Sequence, residues 1–192
     1  MILKINFCGD SFCASDHENS WCSILAKKFD ASIIGYGKES SAHEHAIKSF
    51  TFDANITVFC WTEPHRLYHT TLGINMRSAI RYAEVEPAMK AAVDYYKYIH
   101  NKEYAEERQI RDLYWFDNEV LSHYKGKIIH FFSMSQILYE FRNGYTNNIP
   151  LNNIFNAGRR PCRPSDNKNF FNHLSRDDNK KLAQLTFKLL QY

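Results

Sequence analysis

Apolar runs and helix-period stretches alternate along this chain of 192 residues. Residues 2–8 are mostly apolar and predict a buried first strand. Trp21, Ile24, Leu25 and Phe29 recur at helical spacing and predict a helix over 21–29. A second strand is expected at 31–34, closed by Gly35-Tyr36-Gly37, and a helix follows at about 42–50. Residues 56–61 read as a strand covered on both faces, which stops at Thr62-Glu63-Pro64. From about 75 to 124 the strand signal disappears. That stretch predicts two or more long helices inserted at the sheet edge, with Pro87 as a first helical residue after Glu86. A fourth strand is expected at 127–132 and a last helix at about 177–190. The polar stretch between them reads as a loop past Pro150 to Pro164, broken by Gly158, Pro161 and Pro164. The alternation predicts one domain over 1–192, a three-layer α/β/α sandwich around a mostly parallel sheet, with the insertion at about 75–125.

Composition narrows the class. With 44 % hydrophobic and 15 % aromatic residues, the chain can bury a sizeable core. No apolar run approaches the roughly 20 residues that cross a bilayer. The first run breaks at Asn6, and no basic segment precedes it, so a cytoplasmic chain without a membrane partner is expected. The net charge of +3 is small and the charges are interleaved, which does not point to nucleic acid. Clustering of Arg159, Arg160, Arg163 and Lys168 on one face would reopen that class. The five cysteines are odd in number and form no CxxC pair, so free thiols in a reducing compartment are expected. Cys13 as a nucleophile is the lesser alternative.

The chemistry concentrates after the first strand. Asn6-Phe7-Cys8-Gly9-Asp10-Ser11 delivers a hydroxyl to a strand-to-helix turn, at the sheet edge where α/β proteins place their sites. Ser11 reads either as a nucleophile or as a helix cap. Acyl transfer also needs a base and oxyanion donors. His173, just before the last helix, fits the base, and the Ser11 N–H fits one donor. His43 with His45, and His65 with His69, have partial ligand spacing. No full set is evident, so no metal is expected. Arg159, Arg160 and Arg163 read as a solvated loop or as a clamp for an anionic substrate. The tyrosines between Tyr95 and Tyr124 read as packing or as a carbohydrate platform.

Phe7-Cys8-Gly9-Asp10-Ser11 resembles the first block of the SGNH, or GDSL-type, esterases and lipases. Asn172-His173-Leu174-Ser175 resembles the last block of that family, which carries the catalytic histidine. The resemblance implies an SGNH-hydrolase or flavodoxin-like fold, a Ser11 nucleophile, a His173 base and no cofactor. It implies a small-molecule or carbohydrate ester as substrate. The family's second block supplies a glycine N–H to the oxyanion. Gly35 and Gly37 are both available, and Gly37 is favoured. Where the family has Gly-x-Asn-Asp, this chain has Trp61-Thr62-Glu63-Pro64. Thr62 can donate through its hydroxyl, ionised Glu63 cannot donate, and Arg66 can supply charge. Thr62-Glu63-Pro64-His65-Arg66-Leu67-Tyr68 is similar to divergent bacteriophage-type members. The family's acid, three residues before the histidine, is replaced by Phe170. Asp166, seven residues upstream, is the nearest carboxylate, and Asn172 is an alternative orienter of the imidazole. These departures keep a second expectation open: a non-catalytic binding or structural protein on the same fold, including a virion accessory role.

Overall fold

The computed structural model describes residues 2–137, 139–155 and 170–191. Its centre is a five-stranded parallel sheet built from β1 (Leu3–Gly9), β2 (Ala31–Gly35), β3 (Ile56–Trp61), β4 (Lys127–Phe132) and β5 (Tyr145–Asn147). The strand order is β2-β1-β3-β4-β5. The layers follow from the two-residue period of a strand. Ile5 and Phe7 of β1, Val58 and Cys60 of β3, and Ile129 and Phe131 of β4 face one side. There they meet Trp21 and Leu25 of α1 (Trp21–Lys28), and Leu182 and Ala183 of a C-terminal helix. Their neighbours Cys8, Phe59, Trp61, Ile128 and Phe132 face the other side, against Ala46 of α2 (His43–Ser49) and Leu113 of a long later helix. Apolar residues on both faces are why the central strands read as unbroken runs.

Three helices lie between β3 and β4: α3 (Met76–Tyr82), α4 (Pro87–Tyr98) and α5 (Lys102–Trp115). Pro87 opens α4 after Glu86, whose carboxylate accepts from the Ala88 N–H. The expectation of an edge insertion holds only in part. Helices α3 and α4 form a hairpin around a small core of their own, Ile74, Ala79, Met89 and Ala92. Helix α5 instead covers the sheet, because Leu113 packs with Phe59 and Trp61. It runs into a π-helical turn, Phe116–Val120, that buries Asp117.

The fifth strand corrects the expectation of a loop running from β4 past Pro150 to Pro164. Tyr145–Asn147 pairs in parallel with Ile129–Phe131 although it carries no apolar run. A short edge strand faces solvent and is specified by its neighbour's ladder, so it has little pattern of its own. The chain continues through α6 (Leu151–Phe155), then the antiparallel pair β6 (Phe170–Phe171) and β7 (Leu174–Ser175), to α7 (Arg176–Leu189). No described helix is long and apolar enough to cross a membrane.

Candidate active site

The strand order fixes where a site can lie. The crossovers from β1 and β3 leave in opposite directions, so their carboxyl ends flank a crevice. Ser11 follows β1 in a single 3-10 turn, Ser11–Cys13, and the loop from Thr62 to Arg66 follows β3. Gly9 makes the close approach possible. Its φ is +151°, and a side chain there would run into the Cys60 carbonyl. Asp10, not Ser11, caps the turn: its Oδ1 accepts from the Phe12 N–H at 3.0 Å and from the Ser133 hydroxyl at 2.8 Å. Its Oδ2 lies 3.6 Å from the Arg66 guanidinium, and both side chains are buried.

The base comes from the other end of the chain. His173 Nε2 lies 2.7 Å from Ser11 Oγ, hydrogen-bond distance across 162 residues. His173 sits on the two-residue turn between β6 and β7. Asn172 and His173 both have left-handed backbones there, with φ of 50° and 63°. A two-residue hairpin turn demands that conformation at both positions. Asn tolerates it, whereas His is held there at a cost of about 1 kcal/mol. The turn is held by buried amides. Asn172 Oδ1 accepts from the Ser15 N–H at 2.7 Å. Asn179 Oδ1 accepts from the Trp21 N–H at 2.8 Å, and its Nδ2 donates to the carbonyls of Phe171, Leu174 and Ser175. Trp21 in turn donates its indole N–H to the Phe12 carbonyl at 2.7 Å. The Asn172 side chain therefore ties the hairpin to the loop after Ser11 and is not the orienter of the imidazole.

The other expected residues are distributed unevenly. Gly37 lies against the serine turn, where an added Cβ would stand 2.5 Å from both the Asp10 carbonyl and Cys13 Sγ. Its N–H donates to the Cys13 carbonyl at 2.9 Å, and the next N–H, of Lys38, to the Gly9 carbonyl. Gly37 braces the turn, and its N–H is engaged there. Thr62 is 2 % exposed and its hydroxyl has no partner. Its carbonyl accepts from Gln109, and the residue is absent from the walls of the groove described below. Glu63 accepts from Arg66 Nε at 3.2 Å, so its charge is neutralised beside the site. The Ser11 N–H, first in its turn, has no intrahelical acceptor. Asp166, Arg159, Arg160, Arg163, Lys168 and Cys162 lie outside the described residues.

Cys8, Cys13, Cys22 and Cys60 are free and buried. Burial pushes the Cys13 thiol well above its ordinary pKa, with the neighbouring Cys60 adding to the effect, so it cannot act as a thiolate nucleophile. The His65–His69 pair is not on a helix. His69 Nδ1 instead accepts from the Thr71 and Leu72 N–H groups of a turn. Among the described residues, His43, Glu44 and Asp112 bring three ligand-type atoms within 4.8 Å of one another. Arg108 and Arg111 each lie 3.5 Å from one of those carboxylates, so the negative charge is already matched.

Ser11 and His173 both line a groove of about 1680 Å3, walled by the loops after β2 and β3, by the α3–α4 hairpin and by Met134. Asp10, Asn172 and Asn179 hold this geometry; the sequence reading gives Asn172 a different role, as orienter of the imidazole, and gives Asn179 none. Only Asn172 carried a local signal, as a residue suited to a left-handed turn.

No family model matches the chain, and no curated protein matches it. Among solved structures, the chain is similar to a G-D-S-L family protein from Desulfitobacterium hafniense. The identity is 15 %, over 97 % of this chain and 99 % of that one, with a TM-score of 0.40.

Proposed function

We propose that this protein is a serine hydrolase acting on a small-molecule or carbohydrate ester through Ser11 and His173. The observation that carries this reading is the 2.7 Å contact between Ser11 Oγ and His173 Nε2 in the lining of an open groove. In the tautomer that accepts from Ser11, the imidazole proton sits on Nδ1. As Ser11 Oγ attacks the acyl carbon, its proton passes to Nε2, and the carbonyl electrons collect on oxygen. The Ser11 N–H donates to that oxyanion. Collapse expels the alcohol, which takes the proton from Nε2, and water repeats the sequence on the acyl-serine.

A fluorophosphonate probe tests this directly. The wild-type protein is expected to be labelled, and Ser11→Ala and His173→Ala are not. A second reading, a binding protein on the same fold, is favoured by one observation: the Gly37 N–H is engaged and Thr62 stands outside the groove, so of the three expected oxyanion donors Ser11 N–H, Gly37 N–H and Thr62 hydroxyl the first is left. Absence of labelling, together with no turnover of a chromogenic acetyl ester, selects that reading.

A further inference from the structure

The groove is far larger than an acyl group needs. Pockets for single small ligands measure about 300–1,000 Å3, whereas this groove measures about 1680 Å3, and its lining joins Ser11 and His173 with Arg77, Arg81, Tyr96 and Lys102. Its charges are not balanced. Five cations, Lys38, Arg66, Arg77, Arg81 and Lys102, line it against three carboxylates, Glu39, Glu63 and Glu86; Glu63 pairs with Arg66, Glu86 caps α4, and Lys102 pairs with Glu106. Arg77 and Arg81 have no carboxylate at ion-pair distance among the described residues, and only Arg81 has a neighbour of note, the Tyr82 ring at 5.3 Å. The two arginines are four apart on α3, so they share one face of that helix, and both line the groove. Lys38 joins them from the opposite loop, with its ammonium on the Thr70 carbonyl. Paired guanidinium groups recognise carboxylate or phosphate oxygens through two parallel hydrogen bonds. Met76, Tyr82 and Val85 line the same space.

We infer that the groove selects an anionic ester, with the reacting carbonyl at Ser11 and a carboxylate or phosphate of the same ligand held by Arg77 and Arg81. This rests on the hydrolase reading above for the position of the carbonyl. The anion subsite itself is tested without catalysis. Calorimetry on Ser11→Ala would use hexagalacturonate as the sugar-acid probe, lysophosphatidylglycerol below its micelle concentration as the phosphate probe, and maltohexaose as the neutral one. At least one anionic probe is expected to bind more tightly than maltohexaose. Its affinity should fall at least tenfold in Arg77→Gln/Arg81→Gln and should weaken as salt rises. Lys180→Gln/Lys188→Gln removes the same charge from exposed positions on α7 and is expected to leave that affinity unchanged. Which anionic probe responds identifies the source of the anion. Equal binding of neutral and anionic probes, no binding of either anionic probe, or equal losses in the two double variants would overturn the inference. Arginine-dependent binding by a protein whose wild type resists the fluorophosphonate would sink the hydrolase and leave the anion groove standing. Labelling without such binding would do the reverse.

Discussion

Ser11 and His173 meet at 2.7 Å, yet two different kinds of structure bring them there. Ser11 is carried by the main chain of a buried parallel sheet. The Gly9 carbonyl accepts from Lys38 N–H and Ser41 Oγ, the Cys13 carbonyl accepts from Gly37 N–H, and Asp10 N–H reaches the Cys60 carbonyl. His173 is carried by two strands of two residues each, too short to hold a register alone. Its position depends on side chains, Asn172 and Asn179, that reach back to the serine loop and to α1. The nucleophile side is therefore specified by a ladder, and the base side by a few buried amides.

The largest effect expected from this comparison is chemical and symmetric. Ser11→Ala and His173→Ala should each cut ester turnover by about 10^4-fold or more, because dyad members act as a unit. Melting temperatures should stay close to wild type. An unequal loss, with His173→Ala retaining most activity, would show that the hairpin does not supply the base.

The amides come next. Asn179→Ala removes the acceptor of the buried Trp21 N–H and the amide donor shared among the Phe171, Leu174 and Ser175 carbonyls. A loss of about 3 kcal/mol is expected in a urea titration. Turnover should fall further than the unfolded fraction explains, since the histidine turn loosens first.

On the sheet side, the sensitive group is an imidazole. His130 in β4 is buried between Phe59 and Phe141, accepts from the Trp61 indole N–H, and donates to the Asn143 carbonyl. Burial lowers its pKa to about 4, below the usual 6.5. The folded state thus favours the neutral ring. Its contribution is complete above the unfolded pKa of about 6.5 and is lost as pH falls toward 4, a change of about 3 kcal/mol by linkage. His130→Gln should flatten the dependence of melting temperature on pH in that window. An unchanged slope would assign the acid sensitivity elsewhere.

Smaller effects separate the two supports of the serine turn. Gly37→Ala forces a Cβ against Asp10 and Cys13 and should cost about 1–3 kcal/mol by overpacking. Asn172→Ala loses the bond to Ser15 and the tolerance for a left-handed backbone, a cost of about 1–2 kcal/mol. Thermal melts rank the two. A larger loss for Asn172→Ala would invert the comparison and make the hairpin the more tightly specified side.

Much of the fold was legible because its signals are local. The runs at β1, β3 and β4 show burial on both faces, Glu86-Pro87 marks a helix start, and Gly9-Asp10-Ser11 marks a strand-to-helix turn. β5 was not legible, since an edge strand borrows its pairing from β4. Nor was the placement of α5 on the sheet face: its spacing showed an apolar stripe, but not which surface would receive it. At the site, the serine turn and the histidine before the last helix were both readable. Gly37 was expected as an oxyanion donor, but its N–H is engaged by the Cys13 carbonyl, a contact between segments that no local pattern shows.

The sequence by itself determined the periods, caps and turns, because these depend on residues within a few positions of one another. It determined that a serine would stand at the carboxyl end of a buried strand. Only the tertiary structure decided that His173 would reach it, that Asp10 would pair with Arg66 rather than serve the chemistry, and that Arg77 and Arg81 would line the same groove. Those contacts join segments far apart in the chain. They follow from how sheet, hairpin and helices pack, which no short window of residues encodes.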